Sequence, residues 1–160
     1  MSRVLALVVI VLVTVGSSAV GALSRPGAWY AALERPPLSP PSWIFAPVWT
    51  TLYLLMSGAA WLAWDAGTRR GQVGAVRIAM SVYVIQLLLN AAWSPLFFRL
   101  HRPDLALVDI LLLLAAIVIT LMAFARLSTP AAWMLVPYLL WVSFATYLNA
   151  GFWWLNRGAG

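Results

Sequence analysis

The chain has 160 residues, of which 64% are hydrophobic and only 9% are charged. A soluble domain of this size needs many more polar residues to cover its surface, so the composition indicates a membrane protein. The absence of cysteine, with one histidine and four acidic residues, excludes disulfides and thiolate chemistry and argues against hydrolytic triads and carboxylate-rich metal sites.

All ten basic residues are arginines, and the net charge is +6. They are scattered near the ends of apolar runs, which suits anionic lipid headgroups better than nucleic acid. We therefore expect contact with membrane lipid, no nucleic-acid partner and no metal. Five arginines fall on each side of the membrane when the loops alternate, so the positive-inside rule gives no orientation.

Five apolar segments between the charged residues are long enough to cross a bilayer, which needs about 20 apolar residues per helix. They lie at about residues 4–23, 42–64, 78–98, 105–125 and 131–155. The short connections predict antiparallel neighbours, and lipid favours helices because they satisfy their own backbone polar groups. The predicted fold class is therefore an all-α membrane protein, a single domain over residues 1–160 that forms a five-transmembrane-helix bundle.

The first span has a second interpretation, because "MSR", an apolar run and "SSAVGA" are also typical of a cleaved signal peptide. The run is long for a signal peptide and four more spans follow, which favours a retained helix. No Arg- and Ser-rich amphipathic transit peptide precedes it, so we expect a multi-pass protein of a bacterial cell membrane.

Prolines shape the connection between the first two spans, since five of the ten fall within residues 36–47. Each proline fixes its own φ and disfavours helix in the preceding residue, so "RPPLSPP" is predicted to form a long, stiff, extended loop. Ser42 is predicted to cap the second helix. Pro95 and Pro137 interrupt the third and fifth spans and are predicted to kink them.

Three spans place large aromatic residues and a few polar groups on one helical face. These faces are Phe45, Trp49, Tyr53 and Met56 in the second span, Gln86, Asn90, Trp93 and Phe97 in the third, and Trp141, Ala145, Asn149 and Phe152 in the fifth. Ordinary helix packing, with amides bonded between helices, explains such faces. A pocket for a flat, largely apolar ligand explains them equally well, because it needs aromatic walls and a few polar anchors.

Asp109 is the one acidic residue expected inside a span, and intramembrane ionisable residues are functional candidates. The alternatives are that it reaches the interface or pairs with Arg99 or Arg102. His101 lies in the preceding loop, where it faces water or reaches a haem iron. We favour water, because a lone loop histidine is weak evidence for a haem ligand.

The order of these segments resembles the TspO/MBR family, the tryptophan-rich sensory proteins and translocator proteins. "WYAALERPPLSPPSWIFAPVWTTLY" resembles the signature loop and second helix of the family, "QLLLNAAWSPLFF" its third helix and "LVPYLLWVSFATYLNAGFWWLN" its fifth. The resemblance covers nearly the whole chain. It implies a five-helix bundle, commonly dimeric, whose ligand pocket lies among the helices and is closed by the loop between the first two.

Family members bind porphyrins, haem and, in some cases, sterols or benzodiazepine-type drugs. Carried over by motif position, the implied ligand-binding residues are Tyr30, Trp49, Tyr53, Asn90, Trp93, Trp141 and Ala145, with Asn149 as a neighbour. Trp49 and Trp141 match the two tryptophans that the family links to light-dependent breakdown of protoporphyrin. The chain departs from the family at Leu38, where members usually have tryptophan.

The leading hypothesis is an integral membrane protein that binds a tetrapyrrole, protoporphyrin IX or haem, as a sensor, regulator or translocator without an obligatory cofactor. Aromatic walls would stack on the macrocycle, Asn90 would orient a polar edge, and Arg25 or Arg35 would attract the propionates. The alternative is light-dependent degradation of protoporphyrin IX, with Trp49 and Trp141 as the catalytic residues.

Two further hypotheses concern lipid and a second copy of the chain. Lipid or sterol transport is one, although Leu148, Phe152 and Arg157 have phenylalanine where the sterol pattern requires tyrosine. The resemblance also implies a homodimer. The spacing of Ser17 and Gly21, and of Ala75 and Ala79, is typical of close helix contacts and marks candidate dimer faces.

Overall fold

The structure is a computed structural model that describes residues 2–24 and 26–158, and it contains no strand within these residues. Six α-helices follow in chain order: α1 Arg3–Ala22, α2 Ala28–Ala32, α3 Phe45–Arg69, α4 Val73–Ser94, α5 Pro103–Leu127 and α6 Thr129–Asn156. A 3₁₀ turn, Ser42–Ile44, leads into α3, and a π-helical turn, Pro95–Arg99, extends α4.

Five helical segments are long and apolar enough to cross a membrane, which confirms the predicted bundle. They contain 19 to 28 residues and have mean hydropathies between 1.3 and 2.9. The third begins at Val73, five residues before the predicted start at 78. The predicted span began directly after Arg77 because a charged residue was taken as the lipid boundary. A helix can extend beyond this boundary, since a long charged side chain reaches the headgroups.

Local chemistry explains most of the helix ends. Ser2 caps α1 by accepting from the Leu5 amide at 3.2 Å, and Ser128 caps α6 by accepting from the Ala131 amide at 3.4 Å. Pro103 occupies the first turn of α5, where its missing amide hydrogen is not needed. Gly71, at φ +69°, makes the left-handed turn between α3 and α4.

The predicted cap by Ser42 is wrong. Neither the 3₁₀ turn nor α3 has a side-chain cap, and the chain enters α3 when the Ile44 amide donates to the Pro41 carbonyl at 3.1 Å. The residue that precedes the turn is Pro41, which has no side-chain acceptor. Ser42 lies inside the turn and is exposed.

The two intrahelical prolines behave differently. Pro95 begins the π-helical turn, in which its carbonyl accepts from the Leu100 amide at 2.9 Å across five residues. This wider turn accommodates the proline without ending the helix. Pro137 lies within α6, which continues through it as one helix.

Helix packing divides the interior into two regions. α5 packs along both α4 and α6, α3 packs along α6 and α4, and α1 packs against α3 and α4. The main core is the large cluster that these helices share, and it includes Met56, Leu87, Ile117, Leu135 and Tyr138. The aromatic cap is a smaller cluster of Phe97, Ala106 and Phe152 with Trp29 and Tyr30 packed against it.

Helix α1 is fastened to the bundle near its start and near its middle. The Arg3 side chain pairs with buried Asp65 of α3 at 2.7 Å, and Arg69 pairs with the same carboxylate at 2.9 Å. Deeper in the membrane, the Thr14 and Tyr83 hydroxyls are 2.6 Å apart and hydrogen-bonded. These contacts fasten α1 to α3 and α4.

Two of the four residues of the candidate dimer faces make contacts within one protomer, whereas Ala75 is exposed. A Cβ atom built on Gly21 would lie 3.4 Å from the Ser94 hydroxyl of α4, and Ala79 is fully buried in the main core. Close packing of α1 and α4 therefore explains the small residue at Gly21, and the candidate dimer faces stay a prediction.

Candidate functional site

A chain of three polar side chains links α3, α4 and α6 in the main core. The Tyr53 hydroxyl donates to Asn90 Oδ1 at 2.9 Å, and Asn90 Nδ2 donates to the Tyr138 hydroxyl at 3.0 Å. Asn90 is 7% exposed and Tyr138 is completely buried. The structure thus brings two predicted site residues together and adds Tyr138, which the sequence analysis missed. The signal that could have revealed it is a tyrosine one turn before Trp141.

Aromatic contacts surround this chain. Trp49 stacks on Tyr53 with ring centroids 5.5 Å apart, and its edge contacts Tyr138 at 6.5 Å. One turn nearer the loop, Phe45 of α3 meets Trp141 of α6 edge to face at 5.9 Å. The facing sides of α3 and α6 are therefore joined by two aromatic contacts in successive turns.

A second hydrogen-bonded group lies nearer the aromatic cap. Trp93 Nε1 donates to Asn149 Oδ1 at 2.8 Å, and Asn149 Nδ2 donates to the Pro103 carbonyl at 2.8 Å. Trp93 also stacks on Phe97 at 5.2 Å, so it contacts both the main core and the cap. Asn149 thereby fastens α6 to α4 and to the start of α5.

Tyr30 lies in the aromatic cap, apart from Trp49 and Tyr53. Its ring packs on Phe98 at 5.3 Å and Phe152 at 5.4 Å, and the Arg35 guanidinium lies 5.5 Å from the ring centroid. Burial raises the pKa of the Tyr30 hydroxyl, and the charge of Arg35 opposes this effect. Tyr30 therefore presents a neutral hydroxyl near physiological pH.

The Pro-rich loop docks on the C-terminal half of α6. The Glu34 amide donates to Asn156 Oδ1 at 2.9 Å, and Asn156 Nδ2 returns a bond to the Glu34 carbonyl at 3.0 Å. Pro36 is buried against Gly151, where an added Cβ would come within 2.6 Å of the proline ring. The loop therefore lies beside the aromatic cap and is held by several specific contacts.

A groove of about 560 Å³ opens between α3 and α6. Its lining residues are Pro47, Val48, Thr51, Leu52, Pro137, Leu140, Trp141 and Phe144. The volume lies within the range of about 300–1,000 Å³ that is usual for ligand pockets, and the lining is mostly apolar. Trp141 is the one predicted site residue that lines this groove.

The predicted site residues thus form three neighbouring groups instead of one continuous wall. Trp49, Tyr53 and Asn90 meet in the main core, Trp93 and Asn149 meet below the cap that holds Tyr30, and Trp141 faces the groove. Ala145 packs against the main core. A step of four residues turns an α-helix by about 40° beyond a full turn, so Trp141 and Asn149, two such steps apart, point in different directions.

The polar residues near the start of α5 have separate surroundings. Arg102 pairs with Asp104 at 2.6 Å and, in the described chain, makes no ion pair with Asp109. Asp109 is buried, with 8% exposure, so it does not reach the interface. His101 stacks on Trp29 with ring centroids 4.3 Å apart. Within residues 2–24 and 26–158, no cluster of three or more His, Asp or Glu side chains could hold a metal.

Comparison with known proteins identifies the family. The profile of the TspO/MBR family matches residues 5–155. The tryptophan-rich protein TspO of Chlorobaculum tepidum is 45% identical over 126 residues, which cover 78% of each chain. The translocator protein of Homo sapiens is 40% identical over 131 residues, and protein CrtK of Rhodobacter capsulatus is 37% identical over 142. The alignment with the human protein covers 81% of this chain and 76% of that relative. The alignment with CrtK covers 89% of this chain and 87% of that relative. With its five membrane-spanning helices, this multi-pass membrane protein therefore belongs to the TspO/MBR family.

Proposed function

We propose that the protein binds a tetrapyrrole, such as protoporphyrin IX or haem, within the membrane and acts as its sensor, regulator or translocator. The observation that carries this proposal is the hydrogen-bonded Tyr53–Asn90–Tyr138 chain, flanked by Trp49 and adjacent to the groove that Trp141 lines. A planar macrocycle requires aromatic faces for stacking and a small number of polar groups for orientation.

The arrangement supplies both requirements. The Trp141 and Phe144 rings offer apolar faces at the groove, and Trp49 extends the aromatic surface toward the polar chain. A polar edge of the ligand that reaches Asn90 replaces one of the amide's internal hydrogen bonds, and the ligand must also bond the tyrosine hydroxyl that this releases. Both bonds are needed because a low-dielectric site requires every buried polar group to be paired.

An arginine at the aromatic cap supplies a positive charge for the propionate groups. Arg35 lies beside Tyr30 at the aromatic cap, where its exposed side chain makes no ion pair with a described residue and can pair with a carboxylate of the ligand. Arg25, the other predicted partner of the propionates, lies outside the residues that the structure describes. The names "translocator protein" and "tryptophan-rich sensory protein" among the relatives agree with transport and sensing respectively.

Titration of the detergent-solubilised protein with protoporphyrin IX tests the proposal through quenching of tryptophan fluorescence. We expect saturable quenching in the wild type and an affinity about tenfold lower for Trp141→Ala, because a stacking face is lost. Trp133→Ala is the matched control, since Trp133 lies on the same helix and is 68% exposed. Equal affinities of the two variants, or no saturable quenching at all, would contradict the proposal.

Light-dependent degradation is the second candidate, favoured by the stacked Trp49–Tyr53 pair. Here excited protoporphyrin exchanges an electron with Trp49 or Trp141, and dioxygen opens the ring. Illumination of the complex in air, followed by absorption spectroscopy, distinguishes this activity from binding alone. Ring opening that slows at least severalfold in Trp49→Phe/Trp141→Phe supports enzymatic participation, whereas an unchanged rate leaves sensing or transport.

Transport is separated from sensing in sealed vesicles. Saturable flux of protoporphyrin across the membrane supports a translocator, and binding without flux supports a sensor. Repeating the titration in the presence of a sterol tests the lipid alternative. A sterol that displaces protoporphyrin competitively supports shared binding of the two ligands.

A further inference from the structure

Asp109 lies at the junction of the two packed regions. It is on the buried face of α5, which packs along α4 and α6. Ala106, one turn earlier, belongs to the aromatic cap, and Ile110, the next residue, belongs to the main core. Asp109 is thus at the depth where Trp93 connects the same two regions.

The carboxyl group of Asp109 has an unused acceptor. Its Oδ2 is fully buried and has no hydrogen-bond partner within the described chain. A buried polar atom without a partner lowers stability, and the effect is large in the membrane interior. Among the described residues no arginine pairs with it, and the nearby Arg102 is bonded to Asp104.

The two amides that the sequence analysis placed among the ligand-binding residues, Asn90 and Asn149, are already occupied. Asn90 uses its oxygen for Tyr53 and its nitrogen for Tyr138. Asn149 uses its oxygen for Trp93 and its nitrogen for the Pro103 carbonyl. Asp109 therefore differs from both, since it has an acceptor that no side chain of the described bundle satisfies.

We propose that Asp109 is the polar anchor of the ligand site, and that its free oxygen accepts a hydrogen bond from a donor on the bound tetrapyrrole. This inference rests on the proposed function and specifies its ligand chemistry. The ligand must carry a donor into the membrane, either a pyrrole N–H or the O–H of a propionic acid.

The test uses two buried, unpartnered side chains that differ in position. Gln86 of α4 is 1% exposed, and both of its amide atoms lack partners in the described chain. Asp109→Leu and Gln86→Leu each remove an unsatisfied buried group, so we expect each to hold or raise the melting temperature of the ligand-free protein. Only Asp109→Leu should weaken protoporphyrin IX binding, by about tenfold for one lost hydrogen bond.

Asp109→Asn keeps the side-chain shape and one acceptor oxygen. Its affinity for protoporphyrin IX should therefore lie closer to that of the wild type than to that of Asp109→Leu. A wild type that binds protoporphyrin, with Asp109→Leu no weaker than Gln86→Leu, would overturn this inference and leave the proposed function standing. A wild type that does not bind porphyrin overturns both.

Protoporphyrin IX dimethyl ester separates the two possible donors, because it lacks the carboxylic O–H and keeps the pyrrole N–H. If Asp109→Leu lowers the affinity for the acid and leaves the affinity for the ester unchanged, the donor is the O–H of the propionic acid. If it lowers both affinities equally, the donor is the pyrrole N–H. If it lowers neither affinity, Asp109 is not the anchor.

Discussion

At the scale of single residues, the buried amides decide how the interior is organised. The sequence predicted that Asn90 and Asn149 face the interior, because both share helical faces with aromatic residues. It could not predict their partners, since Tyr138 and the Pro103 carbonyl come from other helices whose rotation is set by packing. Asn90 is thus a structural crosslink between α3, α4 and α6 as well as a proposed ligand contact.

Replacement of Asn90 tests the structural part of this role. Asn90→Leu leaves the Tyr53 and Tyr138 hydroxyls without their shared partner, so we expect the free energy of unfolding to fall by about 1–3 kcal/mol. Denaturant unfolding in detergent measures the change. The triple variant Asn90→Leu/Tyr53→Phe/Tyr138→Phe removes all three polar groups and should recover much of the loss. No recovery would show that these hydrogen bonds are not the cause.

At the scale of elements, apolar length predicted the five long helices, because lipid requires long uncharged helices. Finer features depend on contacts that length does not encode. The π-helical turn after Pro95 and the early start of α4 at Val73 were both missed. The Pro-rich loop was predicted to be stiff, and the structure adds where it docks, against Gly151 and Asn156 of α6.

Gly151 is the element-scale test of this docking. In Gly151→Ala the new Cβ meets the buried Pro36 ring, which cannot rotate away, so the loop should move off α6. Hydrogen exchange at the Glu34 amide, which is bonded to Asn156, should become at least severalfold faster. Gly16→Ala is the control, because open space surrounds Gly16. Equal protection of Glu34 in both variants would show that the loop does not require the glycine.

At the scale of the whole molecule, apolar side chains face outward around most of the bundle, as expected for a protein surrounded by lipid. Ile78, Leu88, Leu112 and Leu140, on three different helices, are each at least 56% exposed. The homodimer that the family resemblance implies stays a prediction. Ala79 is fully buried, which removes it from the interface, and Gly21 packs against Ser94 of the same protomer.

Native mass spectrometry of the purified protein checks the dimer. We expect the mass of two 17.5 kDa chains. Gly21→Leu should lower the stability of the fold and leave the dimer mass unchanged, since Gly21 packs against Ser94 inside one protomer. Dissociation of a stable dimer by this substitution, without loss of folding, would show that Gly21 lies at the interface.

The central claim is that a tetrapyrrole binds among α3, α4 and α6, and an experimental structure of the complex with protoporphyrin IX tests it most directly. The account predicts the macrocycle in contact with Trp141 and Trp49, with a polar edge near Asn90. Porphyrin found on the outer surface, for instance against exposed Trp133, with the Tyr53–Asn90–Tyr138 chain and the groove unchanged, would contradict it.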